Sequence, residues 1–158
     1  MVQSTATDDG ERQVLDDIAE HGWHCVNILE EEGQPPWAFT IGLFHTWNHP
    51  ELIIFGLRGN VAHEILAIVA RGLKEGRRID LSLPTDDLLN NGSCLFVEVP
   101  QSQYREHVGY ARWYYQWKAF PLFQVVWPSR EGHFPWNPKA AESFRLWQPV
   151  LGQLREDA

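Results

Sequence analysis

The sequence predicts an α+β fold: a single compact domain with a mainly antiparallel sheet of about five strands flanked by three or four helices. Strand-like runs at residues 23–31, 37–43 and 52–57 follow one another without a helical stripe between them. That order favours antiparallel neighbours over a doubly wound sheet. Helical stripes separate the later runs, and 158 residues with 44% apolar content bury enough surface for one core without covalent staples.

The first ten residues are small and polar and read as a flexible tail, with the domain spanning residues 11–158. Val14, Leu15, Ile18 and Ala19 recur at helical spacing, Asp8 with Glu11 suits a capping box, and Gly22 stops the helix. Residues 23–31 and 37–43 form a hairpin around the turn at Glu32-Gly33-Gln34-Pro35. The run 52–57 is apolar without alternation, as in a strand covered on both faces, and is placed centrally. Asn60 caps a helix reaching about Glu75, with Ile65, Ile68, Val69 and Leu73 as its buried stripe and Gly76 beyond its end.

Residues 77–92 form an irregular connection ending in the turn signal Asn90-Asn91-Gly92. A strand follows at 95–99. Ser102 caps a third helix carrying Tyr104, Val108, Ala111 and Tyr115 on one face, and 120–127 is the last strand. Prolines stiffen the loop after Trp127, and Asn137-Pro138 suits the start of a final helix.

Charge and composition remove several function classes. With 13 Lys and Arg against 21 Asp and Glu, and no basic cluster beyond Arg77-Arg78, the chain is expected to bind neither nucleic acid nor an anionic membrane. No apolar run reaches the roughly 18 residues of a membrane span, and the first residues lack a signal-peptide pattern, so a cytoplasmic address is expected. Cys25 and Cys94, far apart in apolar segments, read as buried thiols.

Four blocks carry a family resemblance: PPWAFTIGLFHTWNHPELIIFGL at residues 35–57, HGWHCVNI from His21, YREHVGYARWYY from Tyr104, and FQVVWPSREGHFPW from Phe123. In their order along the chain, over about residues 17–137, they resemble the bacterial domain-of-unknown-function 4262 family. The resemblance implies a small bacterial cytosolic domain and brings no established activity. Ser129 departs from it, standing where an acidic residue is expected after Trp-Pro. A second resemblance, confined to FTIGL and HPELIIFGL, is to flavin-binding split barrels.

The candidate ligand-binding residues fall in three places. Thr40 lies in an apolar run, where its hydroxyl needs a partner, and His45 and His49 follow in the 44–50 loop. Trp47, Asn48 and Pro50 argue against a helix there, so the i, i+4 spacing of the histidines loses its metal-binding force. A metal-dependent hydrolase would need a further ligand such as Glu51, His63 or His133. Arg58 and Asn60, between a strand and a helix start, would suit a phosphate, with flavin as the cofactor of a split-barrel oxidoreductase. Trp127, His133 and Trp136 lie in a proline-stiffened loop that would make a rigid wall for a flat ligand or a peptide. The leading expectation is a ligand-binding or protein-interaction module using the aromatic loops 44–50 and 127–138, with a small molecule or a protein as partner.

Overall fold

The computed structural model describes residues 1–90 and 92–153. Asn91, the middle of the expected 90–92 turn, and residues 154–158 lie outside the described residues. Helix α1 (Asp9–His21) begins two residues earlier than expected, with the Asp8 side chain accepting from Glu11 N and Gly22 at φ 90° closing it. Ahead of it, Gln3 N donates to Tyr114 O, and Val2 packs on the core.

Strands β1 (His24–Ile28) and β2 (Trp37–Ile41) form the expected antiparallel hairpin. Helix α2 (Leu43–Trp47) follows, then β3 (Glu51–Phe55) and α3 (Gly59–Lys74). Strand β4 (Leu95–Glu98) leads through a 3-10 turn to α4 (Tyr104–His107) and α5 (Gly109–Tyr114). Strand β5 (Leu122–Val126) and α6 (Glu142–Trp147) complete the order.

One mixed sheet of order β1-β2-β3-β5-β4 results, antiparallel except for the β3–β5 pair. Central β3 is buried at all five positions, residues 52–55 as their unbroken apolar run requires. Alternation along the strands divides the core. Phe39, Ile41, Ile53 and Phe55 meet α1, α4 and α5 on one face, whereas Ala38, Leu52 and Ile54 meet α3 on the other. Helix α3 buries Ala62, Ile65, Leu66, Val69, Ala70 and Leu73, and each large aliphatic side chain contributes about 1.5–3 kcal/mol.

The helices depart from expectation in four places. Residues 43–47 are helical because their free N–H groups find a partner outside the local sequence, described below. The third helix breaks at Val108, whose φ of −134° is not helical. Its freed His107 carbonyl instead accepts the Trp37 indole N–H at 2.9 Å. Asn60 lies inside the first turn of α3, because Arg58 occupies the cap position. Finally, Asn137 accepts from Lys139 N in a local turn, and α6 starts only after Ala141.

Candidate functional site

Two of the expected binding loops sit at opposite ends of the sheet. Because β3 and β5 are parallel, residues 44–50 precede the start of β3, while 127–138 leave the far end of β5. A five-residue strand separates those ends by roughly 16 Å, so they do not frame one concavity.

At the first end, Glu51 is completely buried. Its Oε1 accepts from Thr40 Oγ1 at 2.7 Å and Leu43 N at 3.1 Å. Its Oε2 accepts from Gly42 N at 2.9 Å, Phe44 N at 3.2 Å and the Tyr115 hydroxyl. The first residue of β3 thus caps the helix that precedes it. Gly42, at φ 112°, makes the turn, and a Cβ there would lie 2.8 Å from the Gly22 carbonyl. All five partners donate, the pattern an ionised carboxylate requires. Burial nevertheless pushes the Glu51 carboxyl above its usual range, against the pull of those donors.

Thr40 belongs to this network. It is fully buried and its Oγ1 also accepts from Leu52 N at 2.9 Å, so the expected ligand contact has no surface to act through. His45 is exposed, with its ring edge on Tyr114. His49 is 2% exposed; its Nδ1–H donates to Pro50 O at 2.7 Å, and its buried Nε2 has no partner among the described residues. The two histidines therefore share no site. No group of three His, Cys, Asp or Glu side chains among the described residues is placed to hold a metal ion.

At the second end, Trp127 is a staple. Its indole N–H donates to Phe55 O at 2.8 Å and its ring packs against Phe144. Trp136, 41% exposed, stacks on Phe134, and His133 closes its loop through N–H donation to Ser129 Oγ. Ser129 therefore has a local structural partner in place of any acidic role. Arg58 and Asn60 are exposed at this same end, beyond β3, and neither is among the described lining residues of the two grooves described next. Among the described residues no pairing closes β1 on β4, so the split-barrel likeness finds an open sheet.

The place where side chains with chemistry do converge is a groove of about 430 Å³ along the outer edge of β1. Asp17 and His21 of α1 flank it on one side, and Trp23, His24 and Cys25 lead along the strand. Trp47 of α2 closes one end by lying over the helix stop, where a Cβ on Gly22 would come within 2.8 Å of its ring. Helix α3 supplies the opposite wall through His63, Ala67, Ala70, Arg71 and Lys74, a single helical stripe with small side chains in its middle.

Two contacts fix the polar and aromatic groups. His24 Nδ1 lies 2.6 Å from Asp17 Oδ2. A carboxylate accepts and does not donate, so Nδ1 carries the proton and Nε2 is the ring nitrogen left for a ligand. Trp23 stacks on His63 with centroids 5.7 Å apart and planes 30° from parallel. Burial pushes the Cys25 thiol pKa up to about 12, which disfavours the reactive thiolate. A second groove, of about 1100 Å³, follows β4 between Leu81, Leu83, Phe96 and Leu151. Glu98 is the one titratable side chain among its described lining residues.

The β1-edge site escaped notice in the sequence although its pieces were present. HGWHC carries three of the lining residues in a row, and 63, 67, 70, 71 and 74 repeat at helical spacing. Nothing local says that the stripe and the pentapeptide face each other.

Fold and groove together define a small α+β domain with a side-opening pocket at a sheet edge. The chain belongs to the DUF4262 family, a domain of unknown function, whose profile matches residues 17–141. No curated protein and no solved structure matches it. Among the described residues no helix is long and apolar enough to cross a membrane.

Proposed function

We propose that this chain is a ligand-binding domain whose site is the β1-edge groove, and that its ligand is a small planar molecule. One observation carries the reading: an imidazole oriented by a carboxylate stands in a groove walled by indoles and floored by alanines. Trp23 and Trp47 offer rigid apolar faces at low entropic cost. His24, its ring fixed by the Nδ1–H bond to Asp17, offers Nε2 as a hydrogen-bonding partner to a ligand hydroxyl, and this sets orientation. Of the two aromatic loops expected to bind, 44–50 contributes through Trp47.

The test is calorimetric titration with 2-naphthol, which is planar, neutral and carries one hydroxyl. One-site binding is expected for the wild type, weakened about tenfold by His24→Ala through loss of one oriented hydrogen bond. Ala67→Trp fills the groove and should abolish binding. Binding that survives Ala67→Trp, or a wild type that binds nothing, overturns the reading.

A further inference from the structure

We infer that the groove selects planar ligands bearing an anionic group, a carboxylate or a phosphate monoester, with Arg71 and Lys74 as the anion-recognising side chains. This rests on the β1-edge groove being the binding site.

The chain carries 13 Lys and Arg against 21 Asp and Glu, so an average stretch of surface is acidic. The groove reverses that balance. Arg71 and Lys74 line it, whereas Asp17 is the single carboxylate among its described lining residues and is already bonded to His24. Glu64 approaches Arg71 only to 3.8 Å, between exposed side chains, a contact that solvent largely screens. Lysine supplies a mobile point charge and arginine a planar fork that matches carboxylate or phosphate oxygens. Cations in the last turn of α3 also suit the helix dipole. That accounts for their sign, but not for Ala67 and Ala70 beside them, which leave the space a ring would fill.

Position along α3 gives the ligand a direction. His63, stacked on Trp23, lies toward the helix start, and Arg71 and Lys74 lie two to three turns later on the same stripe. A ring placed against the Trp23 end therefore directs its anionic substituent toward the C-terminal turns of α3.

The experiment titrates the full chain with three matched probes: 2-naphthol, 2-naphthoate and 2-naphthyl phosphate. Both anions should bind about tenfold tighter than 2-naphthol at low salt, and raising sodium chloride from 50 to 500 mM should erase most of that advantage. Arg71→Gln combined with Lys74→Gln should bring both anions down to the affinity that the same variant shows for 2-naphthol. Both side chains are exposed, so an unchanged thermal midpoint serves as the folding control. The salt series on the wild type tests the same point without any variant. Anions that bind no tighter than 2-naphthol, or an advantage that survives the double substitution or high salt, overturn the anion inference and leave the groove standing. If none of the three binds, the groove itself is not the site.

Discussion

The two ends of the sheet are closed by different chemistry. At the start of β3 a buried carboxylate gathers three backbone N–H groups, a threonine and a tyrosine. At the far end neutral groups do the closing. Trp127 and Trp147 donate their indole N–H groups to Phe55 O and Gly56 O, and Gln148 brackets the Trp127 backbone with an acceptor and a donor. Removing one acceptor at the first end strands five donors, whereas removing one donor at the second strands one carbonyl. Low dielectric makes the first end the more sensitive of the two.

The sharpest way to break that contrast is Glu51→Gln. An amide keeps the shape but points hydrogens at groups that already donate. Denaturant unfolding should show a loss of about 2–4 kcal/mol. Trp127→Phe keeps a ring against Phe144 and orphans the Phe55 carbonyl, so the expected loss is about 1–2 kcal/mol. A larger loss for Trp127→Phe than for Glu51→Gln would reverse the comparison.

A pH series sharpens it further. Burial lowers the His49 pKa below its ordinary 6.5, with the Pro50 carbonyl opposing and Arg78 reinforcing the shift. As pH falls, the unfolded chain takes up this proton first. The His49 contribution is therefore present above 6.5 and is lost as pH drops through the folded value. Wild type should lose more stability between pH 7 and 5 than His49→Gln does, an effect smaller than either substitution above. Parallel pH curves for the two proteins would remove His49 from the account. The smallest effect is expected from Trp136→Ala, within about 0.5 kcal/mol, because that ring is 41% exposed.

Local rules worked where the partners are local. The Asp8 cap, the Gly22 stop, the α3 stripe and the central position of β3 all follow from spacing within one segment. They failed at residues 43–47 because the cap that makes α2 comes from Glu51, on the C-terminal side of the helix it caps. They failed at Val108 because the Trp37 indole compensates the break from 70 residues away. The Trp127 indole N–H bond was hidden from sequence for a related reason. Indole suits both recognition and internal hydrogen bonding, and the position of the Phe55 carbonyl decides which.

By itself, the sequence determined which segments become strands and long helices, since hydrophobic period and turn chemistry are properties of neighbouring residues. It also determined that three adjacent strands open the sheet without a crossover. The tertiary structure alone decided that the 44–50 and 127–138 loops part company, because the parallel β3–β5 pairing sends them to opposite ends. It likewise decided that α3 faces the HGWHC segment across a groove. Such a site depends on which faces meet when the layers pack, a relation between distant segments that no local pattern encodes.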